Sequence, residues 1–187
     1  MQPEITDKNH GKYSMYFLAI VCPSELDDKV QKHKQWLQKN FGCVNALKSP
    51  AHITLIPPFW WKTDEEQMLR QWLHGFKPYD PFVIETNGID TFGKNVLFID
   101  VLSSTQLLAM HYAIQQHFAT RSGARIKTDN RSFRPHITLA TRDIKPGDME
   151  KAIIFLTTKI SHMKFQCKGI SLLKLSEGKW NVMNDSF

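Results

Sequence analysis

The tetrapeptide His-Ile-Thr-Leu occurs twice in this chain, at 52–55 and at 136–139, and no other feature restricts its fold as strongly. A proline precedes each copy, Pro50 in the first and Pro135 in the second. Strand side chains alternate between two faces, so residues two apart share a face. Ile53 and Leu55 can then enter a core while His52 and Thr54 point out together. Ile137 and Leu139 stand in the same relation to His136 and Thr138. A lone His-x-Thr on a strand is ordinary surface decoration. Two copies led by a scarce residue, in matching strands of the two half-chains, predict two similar lobes that present their polar pairs to one groove.

The flanking pattern supplies the rest of those lobes. Residues 15–21 read as a buried strand. With Ser24 as N-cap, Leu26, Val30, Leu37 and Phe41 line one face of a helix that Gly42 can end. The strand at 51–56 is expected to stop at Pro57-Pro58. Residues 63–66 have the form of a capping box ahead of an apolar helical stripe from Met68 to Phe76. Residues 82–89 and 96–102 are two strands joined by a turn at 93–95, and 105–120 keep a helical period. After the strand at 136–140 comes a short helix capped by Asp148. A single extended segment spans 163–175, and a hairpin turn at 176–178 leads into a last strand at 180–183. The order β-α-β-α-β-β-α-β-α-β-β predicts an α+β fold of two pseudo-symmetric lobes. Residues 1–187 form one domain on this reading. Its lobe boundary lies near 78–92, with Pro78 to Pro81 the best candidate.

Composition narrows the function classes. The chain has 187 residues, of which 42% are apolar, and carries a net charge of +6, a globular profile that excludes a disordered tail, a collagen-like chain or a coiled-coil rod. Its longest apolar run, residues 15–22, falls far short of the roughly 20 residues that span a bilayer. Lys8 and Lys12 imitate the basic start of a signal peptide, but Glu4 and Asp7 dilute that charge and no small-x-small site follows, so a buried first strand is expected. Cys22, Cys43 and Cys167 are odd in number and lack CxxC spacing. A disulfide framework and a zinc site are therefore not expected, and a reducing compartment, the cytoplasm, is.

Two histidines on one groove suit proton transfer. An unperturbed imidazole titrates near pH ~6.5, so one ring can take a proton from water while the other gives one to a leaving oxygen. Two threonine hydroxyls can donate to non-bridging phosphoryl oxygens. These parts fit cleavage of a phosphate ester with no metal, no cofactor and no covalent enzyme intermediate. Between residues 121 and 145 lie Arg121, Arg125, Lys127, Arg131, Arg134, Arg142 and Lys145, opposed only by Asp129 and Asp143, which accounts for nearly all of the net charge. A basic loop running into the second motif draws an anionic substrate toward His136 and suits a single-stranded nucleic acid backbone. It is equally a solvated connection. His10, His33, His74, His111, His117 and His162 have no comparable context. The pair Trp60-Trp61 is expected to pack rather than to stack on a base, and Phe92 and Phe133 carry the same ambiguity.

At Pro50-Ala51-His52-Ile53-Thr54-Leu55 and Arg134-Pro135-His136-Ile137-Thr138-Leu139-Ala140 the chain resembles the 2H phosphoesterase superfamily, and within it bacterial 2′-5′ RNA ligase-like proteins or RNA 2′,3′-cyclic phosphodiesterases. Ile56-Pro57-Pro58-Phe59 stands where the best-studied branch has Phe-Leu-Gly, so the likeness is to a less characterised branch. The resemblance implies a groove between two antiparallel sheets with helices outside. It implies hydrolysis of a 2′,3′-cyclic phosphate to a 2′-phosphate at RNA 3′ ends or on small nucleotides. His52 then protonates the leaving 3′ oxygen, His136 activates water, and Thr54 and Thr138 hold the phosphate, with Arg134 or Arg142 adding charge. A monomer without metal or membrane is expected. A binding module of the same fold without turnover, a 2′-5′ RNA ligase and a 2′-5′ oligonucleotide phosphodiesterase are the alternatives.

Overall fold

All pairings between neighbouring strands are antiparallel. The computed structural model describes residues 12–76, 80–128 and 131–183. In chain order the elements are β1 (Tyr13–Val21), α1 (Ser24–Phe41), β2 (His52–Lys62), α2 (Glu66–His74), β3 (Phe82–Phe92), β4 (Val96–Val101), α3 (Thr105–Arg121), β5 (His136–Thr141), α4 (Pro146–Thr157), β6 (Lys164–Cys167), β7 (Ser171–Ser176) and β8 (Lys179–Val182). The strands form one eight-stranded sheet in the order β6-β3-β4-β5-β2-β1-β7-β8. The class is α+β, as expected. The two sheets anticipated from the family resemblance are instead two halves of a single sheet, joined at the β5–β2 seam by one registered pair, Ile53 with Ile137.

One face of the sheet packs against helices. Tyr16, Leu18 and Ile20 of β1, Ile53 and Leu55 of β2, and Ile137 and Leu139 of β5 are all at most 1% exposed and belong to one core cluster. Burial of each such side chain contributes about 1.5–3 kcal/mol. The helices cross the seam, since α1 packs on β5 and α3 on β2. The opposite face of β1 and β7 carries a small second cluster of Phe17, Ala19 and Leu173, with Val21, Trp180 and Val182 packed on it.

Local chemistry explains most element ends. Gly42 closes α1 in the left-handed region at φ 73°, and its N–H donates to the Gln38 carbonyl at 2.9 Å. Ser104 caps α3, its hydroxyl accepting from the Leu107 N–H at 3.2 Å. The β7–β8 turn holds Glu177 at φ 52° and Gly178 at φ 73°, as a tight two-residue hairpin needs.

Several boundaries differ from expectation. Pro57-Pro58 does not end β2, because a bulge sets Leu18 opposite Ile56 but Tyr16 opposite Phe59, and the extra residue leaves both prolines exposed on the strand. Pro23, not Ser24, occupies the N-cap position of α1, and α4 starts at Pro146 behind Lys145, ahead of Asp148. The capping box at 63–66 is a tight turn followed by a helix whose first residue, Glu66, instead binds Tyr16, Arg70 and Lys174. The extended segment at 163–175 is two strands that go to different parts of the sheet: β6 pairs with β3 at one edge, and β7 crosses to β1. Part of the expected lobe boundary, residues 77–79, lies outside the described residues, as do Asp129 and His10.

Candidate active site

The seam pairing determines the site. Ile53 and Ile137 face each other in antiparallel register and are both 0% exposed, so their flanking side chains turn to the other face of the sheet. One step along the strands from that pair sets His52 beside Thr138 and Thr54 beside His136. All four side chains are half-buried. The twin motifs thus meet about a local two-fold whose axis passes through the two isoleucines.

Each imidazole is anchored in the same way. His52 Nδ1 lies 2.7 Å from the Pro50 carbonyl, and His136 Nδ1 lies 2.8 Å from the Arg134 carbonyl. A carbonyl only accepts, so Nδ1 carries the proton and Nε2 keeps its lone pair in the neutral ring. The prolines of the two motifs fall differently: Pro50 supplies the carbonyl for His52, whereas Pro135 follows the residue that supplies it for His136.

Beyond that the surroundings diverge. His52 has Val21 as its neighbour on β1, and its ring lies 4.9 Å from that of Phe17. Burial pushes its pKa down to about 4, against the Pro50 hydrogen bond, and the nearby charges of Lys34 and His136 add to the fall. Behind it, Lys34 of α1 is 2% exposed and donates to the Ser49 carbonyl at 3.0 Å, while Asp27 accepts the Ala51 N–H at 2.7 Å. These two side chains hold the segment that leads into His52. Burial holds the Lys34 ammonium down to about 8, and Asp27 acts in the opposite direction.

His136 has Asp100 as its neighbour on β4 and packs between Phe92 and Phe98, at ring distances of 4.9 and 5.0 Å. Arg134 pairs with Asp90 and lies 3.4 Å from Asp100, with its guanidinium over the rings of Phe92 and Phe98. Burial again lowers the His136 pKa and the Arg134 charge lowers it further, while its own hydrogen bond to the Arg134 carbonyl and the Asp100 charge raise it.

A cavity of ≈ 650 Å³ opens beside Thr54, His136 and Thr138. Pro57 and Pro58 of the bulge, Phe92, Arg131, Phe133 and Arg134 line it, and so does His111 of α3, whose ring stacks on Phe133 at 3.7 Å. An anion-attracting, aromatic-walled space beside paired imidazoles and hydroxyls can hold a phosphate ester of an aromatic base.

Of the residues singled out from sequence, His52, Thr54, His136, Thr138 and Arg134 come together. Arg142 does not line the cavity; it is exposed at φ 67°, and its N–H donates to the Asn95 carbonyl at 2.8 Å. Part of the basic loop is engaged elsewhere, since Arg125 pairs with Glu65 at 3.2 Å and covers Trp61. Trp61 is 2% exposed and packs on Trp72, as expected of a core residue. Phe92 and Phe133, which sequence left undecided, join the site, and so does His111, which sequence reads as a helix residue without functional context. Lys34, Asp90 and Asp100 escaped notice. A signal existed for Lys34, which falls four residues after Val30 and three before Leu37, inside an apolar helical stripe. Asp100 stands out likewise, because it shares a strand face with Val96 and Phe98.

Among the described residues no three His, Cys, Asp or Glu side chains cluster to hold a metal ion, and no helix is long and apolar enough to cross a membrane. All three cysteines are buried and free.

Comparison with known proteins gives a family model described as the 2′-5′ RNA ligase superfamily, which matches residues 23–179. No curated protein matches the sequence. Among solved structures, Escherichia coli LigT in its apo form is similar at 18% identity and a TM-score of 0.60, over 92% of this chain and 94% of that one. LigT complexed with 3′-AMP is similar at 17% identity and a TM-score of 0.62, over 92% and 95%. TT0787 of Thermus thermophilus is similar at 16% identity and 0.58, over 91% and 95%. At these identities the structures show a shared fold.

Proposed function

The chain belongs to the 2′-5′ RNA ligase superfamily, and on that premise we propose that it is a phosphodiesterase that opens 2′,3′-cyclic phosphates at RNA 3′ ends or on small nucleotides by acid–base catalysis between His52 and His136. The observation that carries the reading is the seam register, which pairs each histidine with the threonine of the other motif. A phosphorus held there has an imidazole on either side for an in-line displacement. The Thr54 and Thr138 hydroxyls donate to its non-bridging oxygens as charge accumulates on them.

Burial lowers the proton affinity of both rings, and it is their different neighbours that favour one division of labour. Burial keeps the His52 ring neutral at pH 7, so its Nε2 is free to take a proton from water. His136 adjoins the cavity and has a carboxylate, Asp100, as its strand neighbour. A nucleoside in that cavity carries its 3′ oxygen toward His136, which gives that oxygen a proton as the ring opens, and the phosphate stays on the 2′ oxygen. This is the reverse of the assignment implied by the family resemblance. The stacked pair His111–Phe133 and the ring of Phe92 offer faces for the base, and Arg131 and Arg134 supply positive charge. That LigT has been solved with 3′-AMP, ATP and NADP+ supports nucleotides as the ligand class.

The test is a turnover screen of 2′,3′-cyclic mononucleotides and cyclic-ended RNA in excess chelator, with products assigned by phosphorus NMR. The reading requires 2′-phosphate products and activity undiminished by the chelator. Nucleotide binding without turnover of any cyclic substrate overturns it in favour of a binding module.

A further inference from the structure

Asp27, Gln31 and Lys34 recur along α1 at helical spacing and share one of its faces. All three reach the same short segment, Ser49 to Ala51, which leads into β2. The Ser49 carbonyl accepts from Lys34 Nζ at 3.0 Å and from Gln31 Nε2 at 3.1 Å. The Ala51 N–H donates to Asp27 Oδ1 at 2.7 Å, and Gln31 Nε2 donates to that same oxygen at 2.9 Å. The Ala51 carbonyl accepts from the Cys22 N–H at 2.9 Å, and Pro50 has no N–H to place. Each backbone polar group from the Ser49 carbonyl to the Ala51 carbonyl is therefore held. The Pro50 carbonyl in the middle of this stretch is the one that anchors His52 Nδ1.

A lysine is a costly residue for this task. Lys34 is 2% exposed, and a buried ammonium costs far more than a neutral donor. Gln31 already gives the Ser49 carbonyl a neutral donor. What the ammonium adds is positive charge behind the imidazole. That charge opposes protonation of His52, and it persists at pH 7 although burial pulls the Lys34 pKa down to about 8. The charged groups that act on His52 are Lys34 and Asp27 of α1 and His136 of β5, while its β1 neighbours Val21 and Phe17 carry none. Lys34 and Asp27 act on the ring in opposite directions, yet both hold the same backbone.

We propose that Lys34 is a positioning residue for His52, which from α1 both fixes the segment whose carbonyl orients the ring and sets the charge behind it. The proposal rests on the phosphodiesterase reading above, in which His52 takes a proton from water. Lys34 does not line the cavity, so its effect belongs in kcat rather than in KM.

The decisive variants are Lys34→Met and Gln31→Met. Each fills similar space and removes one donor from the Ser49 carbonyl, but only the first removes a charge. Histidine NMR titrations follow both rings in each variant. Lys34→Met moves the His52 pKa up from about 4, and Gln31→Met leaves it in place. His136, whose surrounding charges are Arg134 and Asp100, keeps its value in both. On a 2′,3′-cyclic mononucleotide Lys34→Met lowers kcat by roughly 10-fold or more, as slight misplacement of a reacting group does, with KM within about twofold. The acid limb of its kcat/KM profile moves to higher pH. An unmoved His52 in Lys34→Met, the same shift in Gln31→Met, or an equal shift of His136 overturns the proposal, because a lysine that only braces the fold acts through stability alone. If Lys34→Met does not fold, Asp27→Asn decides: the His52 ring stays neutral to lower pH with His136 unmoved, and any other result refutes the role of charge. If the wild type turns over no cyclic phosphate, the phosphodiesterase reading fails by itself, and the titrations still decide whether Lys34 governs His52.

Discussion

His52 and His136 sit in copies of one tetrapeptide, on strands that pair with each other, and each anchors Nδ1 on the carbonyl two residues upstream. They differ in what lies beside and beneath them. The His52 half is apolar on the site face, with Val21 next to the imidazole and a buried lysine behind the loop that leads to it. The His136 half is charged, with Asp100 next to the imidazole and Arg134 bridging toward Asp90. Symmetry of backbone brings two proton carriers to one phosphorus, whereas asymmetry of surroundings gives them different work. Two histidines with equal proton affinity compete for the same role. A pair whose surroundings separate them can divide acid from base.

The most severe way to break the pair is to remove either ring. His52→Ala and His136→Ala should each lower kcat/KM on cyclic phosphates by roughly 10²-fold or more, as expected for loss of a positioned acid or base. They should differ in pH dependence: His52→Ala abolishes the acid-side limb of the profile and His136→Ala the alkaline-side limb. Near-wild-type turnover by both variants would falsify the shared-site mechanism.

A subtler test exchanges the neighbours. Asp100→Val makes the second half resemble the first, and Val21→Asp does the converse. Removing the Asp100 carboxylate should lower the His136 pKa further, since that charge now raises it. A carboxylate at position 21 should raise the His52 pKa from about 4. Histidine NMR titrations read both directly. If neither value moves, the neighbours on β1 and β4 do not separate the roles.

The smallest effect concerns stability. The folded His52 ring resists protonation until pH falls to about 4, while the unfolded ring takes a proton near 6.5. The unfolded state therefore binds more protons between those values. The contribution of His52 to stability is complete above 6.5 and is lost as pH falls toward 4. Urea melts at neutral and mildly acid pH should show this loss in the wild type and a shallower one in His52→Gln. Equal slopes would place the burial penalty elsewhere.

The helices and most strands were legible because their periodicities are local. Gly42 and the turn before β8 could also be read, since a left-handed residue and a two-residue hairpin have residue signatures of their own. The double proline was misread as a stop because its tolerance depends on a bulge, and a bulge is a property of two strands rather than one. The segment at 163–175 was misread for a related reason. Its alternation marks an extended chain but does not say which strand each part will pair with, and β6 and β7 go to different parts of the sheet.

The candidate site divides along the same line. The repeated motif by itself determined which side chains leave the core together, because alternation along a strand is covalent geometry. That His52 meets Thr138, that Asp100 rather than a valine adjoins His136, that Lys34 braces one motif and Arg134 the other, and that Arg142 stays outside the cavity were decided only by tertiary structure. Each depends on which residues far apart in the chain become neighbours across the seam. Proton affinity follows those neighbours and the solvent they exclude, so two identical tetrapeptides acquire different chemistry.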